Sequence, residues 1–187
     1  MRLTSVHLLA GLLCAAAPAA AQAPRPAAPP TAAAAPVPAD RTTATFGDWV
    51  MRCESRPPQP TPGRGCELLQ SLQDQRGQPV AQFAFGRIRR ADPMRLVVLI
   101  PSNITVAVPM RLSLEDGAAP VPVTLRACGP RGCVADTELA APVLARLRAR
   151  EAQGKLEYRD ALNGEVALPF STRGFGQALD ALAREGF

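Results

Sequence analysis

From Thr45 to Phe187 the chain is a succession of short apolar runs broken by turn-forming residues, and that punctuation points to antiparallel β structure packed as a sandwich. In Phe46-Gly47-Asp48-Trp49-Val50-Met51-Arg52-Cys53 one face carries Trp49, Met51 and Cys53, and the other Asp48, Val50 and Arg52, as in a half-buried strand. Further strands are expected at Cys66 to Gln73, Val80 to Ile88, Met94 to Ile100, Ile104 to Val108, Arg111 to Leu114 and Val121 to Ala127. Leu96 to Ile100 is the most continuously apolar of these and belongs in the middle of a sheet. Between Lys155 and Phe170, Leu156 and Tyr158 alternate with charged residues, and Val166, Leu168 and Phe170 share one face of the return strand. This reads as a hairpin with a three-residue Leu162-Asn163-Gly164 loop, Gly164 taking positive φ, which sets Leu168 opposite Tyr158 and Phe170 opposite Leu156. A two-residue Asn163-Gly164 turn would instead set Leu168 opposite Arg159.

Two short helices are expected to cover the strands. The first begins near Ala141, since Pro142 is tolerated only in an opening turn, buries Val143, Leu144 and Leu147, and stops at Gly154. The second is capped by Ser171 or Thr172 and buries Phe175, Leu179 and Leu182.

A length of 187 residues supports one such domain with an appendage. The appendage is N-terminal. Met1-Arg2, an apolar run from Val6 to Ala17 and the small residues up to Ala23 have the order of a secretory signal, with cleavage expected after Ala21. A dozen apolar residues rise about 18 Å as a helix, short of the roughly 30 Å hydrocarbon core, so this segment is read as a removable leader (residues 1–21). Leu13 before Cys14 argues against lipid attachment there. Residues 22–44, QAPRPAAPPTAAAAPVPADRTTA, are mostly alanine and proline and are expected to form a disordered, semi-stiff linker to a domain over 45–187. The processed protein is expected in the periplasm or secreted, with no membrane span.

Cleavage at Ala21 removes Cys14 and leaves Cys53, Cys66, Cys128 and Cys133, an even set suited to two disulfides in an oxidising compartment. Cys53 and Cys66 flank a loop rich in proline and glycine, and Cys128-Gly129-Pro130-Arg131-Gly132-Cys133 is a tight turn between strand-like runs. Local bridges would staple both hairpins, contributing about 3 kcal/mol for the larger ring and about 2 kcal/mol for the smaller. Cysteines that pair with one another do not collect zinc, so no metal is expected. The functional alternative, thiol-disulfide exchange by Cys128 and Cys133, lacks both the CxxC spacing and a helix beginning at the first cysteine.

The one histidine, His7, lies in the leader, so the mature chain has no histidine to complete a Ser-His-Asp or Cys-His arrangement or to act as general base. Asp48, Glu115, Asp116 and Asp160 are the carboxylates available for glycosidase-like chemistry, but Glu115-Asp116-Gly117 reads better as a turn. No phosphate-binding glycine loop occurs, and no cofactor is expected. Arg87, Arg89, Arg90 and Arg95 form the densest basic stretch, a candidate contact for an anionic partner. With 20 arginines against one lysine and few aromatics to stack bases, nucleic-acid binding is not expected. Trp49 reads as a core residue.

Phe46-Gly47-Asp48-Trp49 followed by Cys53, then Cys66, Cys128-Gly129-Pro130-Arg131-Gly132-Cys133, Leu144-Ala145-Arg146-Leu147-Arg148, and Gly174-Phe175 leading to Ala178-Leu179-Asp180-Ala181-Leu182 together resemble the invasion-associated locus B family. The resemblance spans Thr45 to Leu182 and implies an exported bacterial protein with an immunoglobulin-like β-sandwich and no established enzymatic activity. This chain departs from the pattern at Pro101-Ser102-Asn103-Ile104, where Asn103 would take the left-handed conformation, and at Val108-Pro109-Met110. The expected function is therefore a non-enzymatic interaction with an unidentified protein or envelope component. Thiol-disulfide exchange and chaperone-like binding of exported chains are the alternatives.

Overall fold

The computed structural model describes residues 40–56, 63–114 and 116–186. The expected leader, and the linker as far as residue 39, lie outside them. Strands β1 (Arg41–Phe46), β2 (Trp49–Arg56), β3 (Gly63–Gln73), β4 (Pro79–Gly86), β5 (Arg95–Ile100), β6 (Met110–Ser113), β7 (Val121–Gly129) and β8 (Gly132–Glu138) precede helix α1 (Ala141–Arg148). Strands β9 (Gln153–Arg159) and β10 (Glu165–Ser171) and helix α2 (Phe175–Arg184) complete the chain. The strands form one antiparallel sheet in the order β1-β2-β3-β4-β5-β8-β7-β6-β9-β10. Every pairing joins chain neighbours except β5 with β8 and β6 with β9, so local hairpins build nearly the whole sheet. The β5 strand is central as expected, but it alternates, burying Leu96, Val98 and Ile100 while Leu99 faces outward.

The sheet curls until its two ends meet. Phe83 of β4 lies 5.2 Å, ring centre to ring centre, from Phe170 of β10. Trp49 of β2 is fully buried, stacks edge-on against Phe85 and Phe175, and donates from Nε1 to the Ser171 carbonyl at 2.9 Å. Gln70 of β3, one of few buried polar residues, accepts from Ser171 N at 2.8 Å and donates to the carbonyls of Asp48 and Ser171. An unpaired amide at that depth would cost about 1–3 kcal/mol, and Gln70 avoids that cost by tying the first half of the sheet to the last strand. Helix α2 packs on β1, β2 and β3 through Phe175, Ala178, Ala181 and Leu182. Its N-terminal turn interlocks with the β1–β2 turn: a Cβ on Gly174 (φ +79°) would lie 2.3 Å from the Phe46 carbonyl oxygen, and one on Gly47 (φ +57°) 2.6 Å from that of Arg173. Only glycine permits both the backbone conformation and the approach.

The strands make a continuous curled sheet, with β7 hydrogen-bonded to both β6 and β8. Several expectations of detail are corrected. Arg41–Ala44, assigned to the linker by composition, pair with Met51–Glu54 as part of β1, and Gly47-Asp48 breaks the expected first strand into a hairpin. Ile104 to Val108 is not a strand; Ile104 makes a single bridge to Asp160. Asn103 keeps a negative φ, while Asn163 (φ +66°) takes the left-handed role expected of Gly164. The β9–β10 loop runs over residues 160–164, because the Asp160 carboxylate accepts from the amides of Leu162 and Gly164 and holds a wider turn. Leu168 consequently faces Leu156, and Phe170 faces Gly154, where the missing side chain makes room for its ring. The shift is by two residues, which preserves the buried face. Gly154 thus lies in β9, and α1 ends at Arg148. Helix α2 is capped by Gly174, with no side-chain cap; Thr172 instead binds the backbone of Ala152 and Arg150.

Candidate functional site

Both expected disulfides are formed. Cys53–Cys66 joins directly opposed residues of β2 and β3, and Cys128–Cys133 joins opposed residues of β7 and β8 across the two-residue Pro130-Arg131 turn. Cys53, Cys66 and Cys133 are buried, and Cys128 is exposed at the hairpin tip. Neither pair sits at a helix N-terminus, the usual means of stabilising an exchanging thiolate.

The candidate acids are occupied by structural partners. Asp48 receives two hydrogen bonds from Arg173, which hold its carboxyl below the ordinary range. Asp116 receives a bidentate contact from Arg146 of α1, both bonds at 2.6 Å, and the Ala118 amide, which lower its pKa to about 2. Asp160 closes the β9–β10 loop. Glu115 lies outside the described residues. These placements separate the carboxylates into three different loops, each with its own partner, an arrangement of turn clamps and caps.

The basic stretch Arg87, Arg89, Arg90 and Arg95 does not act as one patch. Arg95 projects from the outer face of β5 and pairs with Asp136 and Glu138 of β8; Arg89 pairs with Asp92 within the β4–β5 loop; Arg90 is exposed. Burial raises the pKa of Asp136, but its bonds to Arg126 and Arg95 outweigh this and leave it lowered. Arg87 makes no hydrogen bond or ion pair among the described residues, and its Nε is buried without an acceptor.

Strand register assembles a site that the basic stretch alone does not reveal. On the outer face, Arg52, Glu67, Gly86, Arg95 and Glu138 stand in one cross-strand row over β2, β3, β4, β5 and β8. Arg52 donates from Nε to Glu67 at 3.2 Å, and Arg95 pairs with Glu138, so two ion pairs flank the bare backbone of Gly86. The next row places small Ala84 beside Val97. The result is an open cleft of about 730 Å³, floored by Ala84, Gly86 and Val97, walled by the two ion pairs and closed at one end by the loop from Arg87 to Pro93. No local motif marks it, because its residues come from separate strands and meet only through the pairing.

Comparison with known proteins places this architecture. A sequence model of the invasion associated locus B (IalB) protein matches residues 49–183, most of the chain. This chain belongs to the IalB family. Invasion protein B homologs of two Brucella abortus strains, 2308 and biovar 1 strain 9-941, are each 27% identical over 139 residues, covering 74% of this chain and 77% of theirs. The crystal structure of invasion associated protein B from Bartonella henselae superposes with a TM-score of 0.66 at 23% identity, over 76% of this chain and 96% of that one. That likeness concerns the fold, and the IalB match begins at Trp49, the first residue of β2.

Proposed function

We propose that this IalB-family protein is exported and acts by contact with another protein or an envelope component, without catalysing a reaction itself. The observation that carries the reading is the pairing of Cys53 with Cys66 and of Cys128 with Cys133, which suits a compartment where thiols are oxidised. The structural employment of Asp48, Asp116 and Asp160 supports a non-enzymatic role, and the sequence order of residues 1–21 supports export. Within this proposal the curled sheet serves as an immunoglobulin-like sandwich whose loops and outer faces make the contacts. The names of the Brucella relatives and of the Bartonella protein suggest a host-facing setting.

The test is expression of the tagged full-length chain in a Gram-negative cell, with fractionation, thiol labelling before and after reduction, and crosslinking in living cells. The expected result is a product cut after Ala21, outside the cytoplasm, with no cysteine labelled until it is reduced and with a discrete crosslinked partner. A cytoplasmic product with free thiols would overturn the export reading. Turnover of an envelope polymer that vanishes in Asp116→Asn would overturn the non-enzymatic one.

A further inference from the structure

We infer that the cleft between the Arg52–Glu67 and Arg95–Glu138 ion pairs binds a small amphipathic carboxylate, with the head group on Arg87 and the apolar chain along the floor of Ala84, Gly86 and Val97. This goes beyond the export-and-contact reading and does not depend on it.

Charge pairing within the cleft identifies the head group. Of the carboxylates lining it, Glu54 is held by Arg41 and Arg52, Glu67 by Arg52, Asp92 by Arg89, and Glu138 by Arg95. Arg87 is the lining cation without a carboxylate among the described residues, and its buried Nε lacks an acceptor. The lining balances four arginines against four carboxylates, but Arg41 from outside it also holds Glu54, so Arg87 is left as the unmatched guanidinium, to which a monoanion brings oxygen acceptors. A cationic ligand would meet carboxylates that are already paired.

The floor and the lip identify the rest of the ligand. Ala84 and Val97 are half-buried on the outer face, and Gly86 leaves the middle of its row without a side chain. Ile88, 73% exposed, and Pro93 add apolar surface at the loop end. A volume of about 730 Å³ lies within the range of small-molecule sites, roughly 300–1,000 Å³. Among the described residues no aromatic side chain lines the cleft, a lining that offers a flat ring no stacking surface and suits a flexible acyl chain.

The experiment is isothermal titration of the purified, oxidised protein with laurate below its micellar concentration, beside octanoate, hexanoate, dodecanol and dodecyltrimethylammonium. Saturable one-to-one laurate binding is expected, weakening with each shortening of the chain, with dodecanol at least tenfold weaker and the cation not bound. Arg87→Gln should weaken laurate about tenfold or more. Ala84→Leu, which places a branched side chain on the floor, should abolish binding while the far-UV circular dichroism and thermal midpoint stay those of the parent. Equal binding of dodecanol, or undiminished binding by the folded Ala84→Leu protein, would overturn the assignment. So would binding of a peptide with a free apolar C-terminus in place of laurate. The chain-length series uses the unaltered protein, so it decides the matter even if a variant misfolds. Failure of laurate to bind would leave the disulfides, export and partner capture unaffected, and the two readings therefore fail separately.

Discussion

Asp116 shows how a single carboxylate can be read as chemistry or as architecture. Arg146 reaches it from α1 with two short bonds, so the pair fastens the loop after β6 to a helix that has few buried residues of its own. Its folded pKa, about 2, lies below its ordinary 3.8, so the charged form is favoured by folding. The contribution is present above the ordinary value and is lost as pH falls from about 4 towards about 2. Asp116→Asn should therefore lower the urea midpoint at pH 7, and the gap from the parent should close across that acidic window; a gap that persists unchanged at pH 2 would contradict the pairing. Gly174 is the opposite kind of residue, chosen for what it lacks. Gly174→Ala adds a Cβ at φ +79° against the Phe46 carbonyl and should cost about 2 kcal/mol or more in urea denaturation.

Hairpins are the elements that carry this fold, and disulfides clamp two of them. Replacing Cys53 and Cys66 with serine opens the larger ring and should cost about 3 kcal/mol, against about 2 kcal/mol for Cys128 and Cys133, as measured by chemical denaturation of each double variant. These bridges, the start of α1 at Ala141 and the burial of Phe175 and Leu182 were legible in the sequence, because spacing, Pro142 and helical periodicity are local signals. The β9–β10 register was not. It depends on the Asp160 side chain holding a wider loop and on Phe170 settling over Gly154, neither of which alternation encodes. Strand β1 was hidden for a related reason: Arg-Thr-Thr-Ala carries little hydrophobic signal, and the edge it forms is specified by the backbone of β2. The cleft was less legible still, since Arg52, Glu67, Gly86, Arg95 and Glu138 become neighbours only after four registers are set.

At the scale of the whole molecule the sheet is open in its pairing yet closed in its packing, with β1 and β10 as its edges. The first edge belongs to the folded unit. A chain beginning at Asp40 keeps the pairs from Arg41–Glu54 to Ala44–Met51, whereas one beginning at Thr45 loses them and should unfold at a lower urea concentration, with amide exchange accelerated along β2. The second edge is fastened through Ser171, where Trp49 and Gln70 meet β10. Trp49 is the single tryptophan of the chain, and it is sealed from solvent at the point where the two ends of the sheet join. The protein thus carries its own optical gauge: its fluorescence comes from one indole in a dry environment, and any event that parts β2 from β10 will shift that emission to the red, with no label attached.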